Sequence, residues 1–181
     1  MDSNEVRHGE ELPKAASRTT HRAAALAYGL AVLIIGLDQL SKWWVLYVFD
    51  LPSKASVPVG GPFSLTMVWN KGVSFGLLRA EQDFTRWALV AFSLVVAAFL
   101  AVWARKIEKP LLAVAVGLVM GGAVGNAIDR ARFGAVADFL DFKALYFPWV
   151  FNVADSAITV GVILLLLDSL RSESGAKNNK V

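Results

Sequence analysis

Four long apolar runs constrain this chain more than any other feature. They extend from about Ala23 to Phe49, about Phe84 to Ala104, about Pro110 to Ile128 and about Val153 to Leu170. A bilayer core about 30 Å thick takes about 20 helical residues to cross, so the sequence predicts four transmembrane helices. Composition agrees: 56% of the 181 residues are hydrophobic and 18% are charged, against roughly 45–50% and about 25% in a soluble domain. Residues 1–22 are polar and read as a disordered cytoplasmic tail, because the apolar stretch that follows is too long for a cleavable leader. Residues 23–170 read as one membrane domain and residues 171–181 as a second cytoplasmic tail.

The connections set the expected topology. "RKIEKP" between the second and third runs is short and basic, which places it in the cytoplasm. Both termini then fall on the same side, and two longer loops, about 50–83 and about 131–152, face outward. The net charge of +3 is spread along the edges of the apolar runs, the pattern of a membrane protein rather than of a nucleic-acid binder. The chain has no cysteine, and both histidines, His8 and His21, lie in the N-terminal tail. Thiol chemistry is thereby excluded, and histidine-based catalysis or histidine-ligated metal binding is disfavoured.

In the first outward loop, "PFSLTMVWNKG" alternates Phe63, Leu65, Met67 and Trp69 with Ser64, Thr66, Val68 and Asn70. That is strand periodicity followed by turn residues. The second loop is crowded with rings (Phe133, Phe139, Phe142, Tyr146, Phe147, Trp149 and Phe151) and suits the membrane interface. The expected fold is an all-α membrane protein: four transmembrane helices with a small extracytoplasmic β-sheet and an interfacial aromatic loop.

Polar residues at the membrane carry the functional content. An ionisable group costs roughly 3 kcal/mol or more to place in the bilayer. "GLDQLSK" puts Asp38 and Lys42 four residues apart, on one helix face; they read either as an internal ion pair or as an anchor for a substrate head group. Gly117, Gly121 and Gly125 recur every fourth residue and predict close helix packing. Gly122, Asn126, Asp129 and Arg130 lie alongside that stripe. Asp138 in "VADF", taken singly, reads as a solvated loop residue. Asn152 and Asp155 in "FNVADS" read as a helix cap and a first-turn acid. Their convergence outweighs these local explanations. Asp38, Asn70, Asn126, Asp129, Arg130, Asp138, Asn152 and Asp155 all map to one side of the membrane in this topology, and so define a candidate site.

These stretches resemble the lipoprotein signal peptidase (type II signal peptidase) family. "DQLSK", "NKGVSFG", "GGAVGNAIDR", "VADF" and "FNVADS" occur in the family's order, from about Ala24 to Leu170; Ala137 stands where the family often has a second valine. The resemblance implies a membrane-embedded aspartic endopeptidase of the bacterial cytoplasmic membrane. Its substrates would be prolipoproteins, cut before a cysteine that carries diacylglycerol. It implies Asp138 and Asp155 as the catalytic pair. Asp38, Lys42, Asn70, Gly122, Asn126, Asp129, Arg130 and Asn152 take substrate-binding or supporting roles, in a chain that works as a monomer among membrane lipids. From the residues alone, Asp129 and Asp138 are not distinguished. A small ion-coupled transporter is the alternative, disfavoured because its pathway would need polar residues in the inner leaflet as well. A purely structural membrane protein leaves the polar cluster unexplained. Ser41 and Lys42 do not make a Ser–Lys dyad, since adjacent helical residues point about 100° apart.

Overall fold

A computed structural model describes residues 11–72 and 79–178. Helix α1 (Glu11–Trp43) ends in a π-helical turn, Trp44–Val48, and a short α2 (Leu51–Lys54) follows. Strands β1 (Ser56–Gly60) and β2 (Phe63–Asn70) precede α3 (Arg79–Ala104) and α4 (Pro110–Phe133). Then come β3 (Val136–Asp141), a 3-10 turn at Lys143–Leu145, β4 (Val150–Phe151) and α5 (Val153–Asn178). Four stretches are long and apolar enough to cross a membrane: Thr19–Val48, Asp83–Ala104, Pro110–Phe133 and Val153–Arg171. The expected spans are therefore found. Two boundaries differ: α1 already begins at Glu11 and α5 continues to Asn178, so parts of both expected tails are helical. Residues 1–10 and 179–181 lie outside the described residues, as do Val73 to Gly76 of the "NKGVSFG" motif.

Helix α4 is the centre of the bundle. Of its apolar window 67% is buried, against 33% for α1, 22% for α3 and 17% for α5. The glycine stripe explains how it gets there. A β-carbon at Gly117 would stand 2.6 Å from the Ala27 carbonyl oxygen, and one at Gly121 would stand 2.8 Å from that of Ala31. Neither could fit without moving the α1 backbone. Gly122 meets the Ala154 carbonyl of α5 in the same way, and Gly161 of α5 returns the contact against Ala115 of α4. Lipid is as apolar as leucine, so close van der Waals approach between small residues, rather than oil-from-water transfer, holds such helices together. The large side chains point outward: Val32, Phe92, Phe99 and Leu166 are all exposed on the bundle surface.

The sheet closes one end of the bundle. Its order is β1-β2-β3-β4, antiparallel throughout. The expected strand in the first loop is β2, with the predicted limits, Phe63–Asn70, but the strict alternation read from the sequence is interrupted between Leu65 and Val68. The sheet is larger than the sequence indicated, because β3 and β4 come from the aromatic loop. Leu65 and Phe139 pack with Val45 and Leu51 in a small core beneath it.

The β2–β3 pairing contains a slip. Leu65 faces Leu140, but Val68 faces Asp138 and Asn70 faces Val136, so β2 carries one extra residue between Leu65 and Val68. Residues opposite one another share a face, and faces alternate along a strand. The bulge therefore turns Asn70 onto the face of Asp138; in the uninterrupted register it would point to the other side.

Candidate active site

Two groups of carboxylates meet where α1, α4, α5 and the sheet converge. The first centres on Lys42. Its Nζ lies 2.8 Å from Asp38 Oδ2 and 2.8 Å from Asp129 Oδ2, and no more than 2% of any of the three side chains is exposed. The i,i+4 spacing that paired Asp38 with Lys42 in sequence is borne out in space. Gln39 Nε2 donates to Asp38 Oδ2 at 3.1 Å and to Asp129 Oδ1 at 3.0 Å, tying the two acids a second time. Asp38 Oδ1 accepts the Ala154 N–H at 3.0 Å, and Asp129 Oδ2 accepts the Ala137 N–H at 3.1 Å. With these bonds Asp38 faces protein on every side, so it does not offer itself to a head group.

The second group is Asp138 and Asp155. Asp138 lies on β3 and is 1% exposed, not solvated as its loop position suggested. The run Val136 to Phe139 is buried throughout, as an inner strand flanked by β2 and β4, which is why the strand takes the acid inside. Asn152 Nδ2 donates to Asp138 Oδ1 at 2.6 Å, and Asn70 Nδ2 donates to Oδ2 at 3.0 Å. Burial, and after it the nearby Asp155 charge, pushes the Asp138 carboxyl up to about 6, against the two amides, which favour its ionised form.

Asp155 is half-buried in the first turn of α5. Asn126 Nδ2 donates to its Oδ1 at 2.7 Å. The cap read from "FNVAD" is present and reciprocal: the Asp155 N–H donates to Asn152 Oδ1 at 2.9 Å, while the Asn152 N–H donates to Asp155 Oδ2 at 3.4 Å. Asn152 Nδ2 also donates to Asn126 Oδ1 at 3.2 Å. Two amides thus bridge two carboxylates, in the order Asp138, Asn152, Asn126, Asp155. Among the described residues neither carboxylate has an ion-pair partner within 4 Å.

The remaining predicted residues fall close by. Asn70 leads into a turn in which its Oδ1 accepts the Gly72 N–H at 2.8 Å, with Gly72 in the left-handed region at φ 86°. Arg130 extends from α4 beside this turn, and its charge acts on Asp155, Asp138 and Asp129. Its Nε is buried with no hydrogen-bond partner among the described residues. Gly122 lets the start of α5 approach α4. Gln39 was overlooked in the sequence, where its only mark is its position beside Asp38.

Four membrane-length helices capped by a sheet, with paired carboxylates at the junction, define a polytopic membrane protein with a buried polar centre. Residues 30–171 match the family model described as signal peptidase (SPase) II. The lipoprotein signal peptidase of Caulobacter vibrioides is 54% identical over 153 residues, covering 84% of this chain and 90% of that protein. That of Methylorubrum extorquens is 46% identical over 160 residues, covering 87% and 94%. A solved bacterial membrane enzyme at 2.3 Å superposes with a TM-score of 0.69 at 27% identity, covering 82% of this chain and 90% of its own. The chain belongs to the signal peptidase II family, and it is accordingly a multi-pass membrane peptidase.

Proposed function

We propose that this peptidase is of the aspartic type, with Asp138 and Asp155 as the catalytic pair. It would cleave prolipoproteins just before the diacylglyceryl-modified cysteine. The observation that carries the reading is the Asp138–Asn152–Asn126–Asp155 bridge, which holds two carboxylates together with, among the described residues, no cation in ion-pair contact with either. Two neighbouring carboxylates share a proton because both do not readily ionise together. Asp138, the more buried and the one raised to about 6, holds that proton. Asp155, at a helix N-terminus that favours negative charge, is the base.

In this mechanism Asp155 takes a proton from water as the water oxygen attacks the scissile carbonyl. Asp138 gives its proton to the carbonyl oxygen. The tetrahedral diol then collapses: Asp155 passes its proton to the departing amide nitrogen, and Asp138 recovers one from the diol. Both acids return to their starting states, and no metal or cofactor takes part. In this reading Arg130 Nε–H and Asn70 hold the substrate backbone or lipid head, with acyl chains in the surrounding lipid.

The expected orientation has both termini in the cytoplasm, the sheet and site at the outer leaflet of the bacterial inner membrane, and the monomer as the working unit. Because the chain has no cysteine, single cysteines at Ser56 and Lys106 report this directly. An impermeant thiol reagent on spheroplasts should label position 56; labelling at 106 alone would reverse the orientation. For the substrate, purified enzyme with a chelator should cut a lipidated precursor far faster than its unlipidated form. Each buried CH₂ of the anchor contributes about 0.8 kcal/mol to membrane attachment. Equal rates on the two precursors, or complete arrest by the chelator, would defeat the reading.

A further inference from the structure

The Lys42 group is aimed at the dyad through the backbone. Asp38 holds the N–H of Ala154, the residue before Asp155. Asp129 holds the N–H of Ala137, the residue before Asp138. Each peptide unit is planar, so pinning these N–H groups leaves few free torsions between the pinned peptide and the following Asp. The two pins come from different helices, α1 and α4, and the Lys42 ammonium joins them at 2.8 Å on either side. Lys42 Nζ also lies 3.5 Å from Asn126 Oδ1, and that same amide donates to Asp155. Three routes therefore run from one buried cation to the pair.

We propose that Lys42 is a positioning residue for proteolysis: through Asp38 and Asp129 it sets the separation of Asp155 and Asp138. The inference rests on the dyad reading above. Without the ammonium, two buried carboxylates face each other unneutralised and repel. The α5 N-terminus and β3 move with them, because each is bonded to one of the acids. Lys42 never touches substrate, so its loss acts on turnover and not on binding. The ordinary alternative is that Lys42 only neutralises charge for folding, in which case molecules that do fold keep full turnover.

The test is single-turnover cleavage of a lipidated precursor by purified, detergent-solubilised Lys42→Met, with the rate referred to the folded fraction. The expected result is a loss of about 100-fold in the maximal rate, as for an ångström-scale misplacement of reacting groups, with half-saturation within about threefold of wild type. Asp129→Asn leaves the Asp38–Lys42 pair intact and gives the same pattern to a lesser degree, so it carries the test if Lys42→Met does not fold. In the double variant Lys42→Met/Asp129→Asn the losses should fall well short of multiplying. Full turnover by the folded fraction, or a raised half-saturation with unchanged maximal rate, overturns the proposal. Asp138→Asn and Asp155→Asn assayed in parallel separate the two levels: if they stay active, the dyad reading is what fails.

Discussion

Two sets of carboxylates lie side by side in this protein, and their surroundings differ completely. Asp38 and Asp129 share a buried ammonium, a glutamine amide and two backbone N–H groups. Among the described residues Asp138 and Asp155 accept from asparagine amides and one long backbone contact, and the charges of Arg130 and Lys42 reach them without an ion-pair contact. A carboxylate satisfied by a cation and fixed donors is a structural part. A pair with no cation in direct contact is costlier to keep charged and readier to exchange a proton. The difference teaches that burial alone does not mark reactive acids, since Asp38, Asp129 and Asp138 are all buried. What separates them is how the negative charge is answered.

The largest expected effect breaks the comparison outright. Asp138→Asn and Asp155→Asn should each lower single-turnover cleavage by on the order of 10⁴-fold, with the double variant little worse, as for groups that act as one unit. Substantial activity in Asp138→Asn beside a well-folded, inactive Asp129→Asn would exchange the roles of the two sets. Stability should show the mirror image. Removing the Lys42 charge leaves its partners buried and unpaired, a loss of about 3–5 kcal/mol for a buried pair, whereas neutralising a dyad member leaves no charge stranded. Thermal melting of the same variants checks this; a dyad variant less stable than Lys42→Met would contradict it.

A smaller effect sharpens the contrast through pH. The Asp138 carboxyl stands at about 6 in the folded chain against an ordinary 3.8. A raised carboxyl binds its proton more tightly when folded. The stability it contributes is fully present below 3.8 and is lost as pH rises through about 6. Wild type should therefore lose melting temperature relative to Asp138→Asn as pH is raised from about 4 to about 7. A difference that stays constant over that range would mean that Asp138 is not held neutral by its site.

Much of the architecture was legible in residue order, because it is local. Run length marks the four spans, the run Phe63–Asn70 marks where β2 lies though not the bulge that breaks its alternation, and i,i+4 spacing pairs Asp38 with Lys42. The Asn152 cap and the glycine stripe are short-range patterns as well. The five motifs pointed to the family, and through it to Asp138 rather than Asp129.

The tertiary structure alone decided how those parts answer one another. Ala154 and Asp38 are 116 residues apart in sequence, and Asn70 and Asp138 are 68 apart; no periodicity links positions so distant. The sheet needed strands from two loops, and a one-residue bulge in β2 was needed to turn Asn70 toward Asp138. Asp138 looked solvated because its neighbours in sequence belong to a loop, yet its neighbours in space are a helix end, a strand and a second acid. Residue types and their spacing determine which carboxylates exist and which elements carry them. Which are paired with an ammonium and which are not is set by three-dimensional proximity, since charge interactions fall off with distance in space and not along the chain.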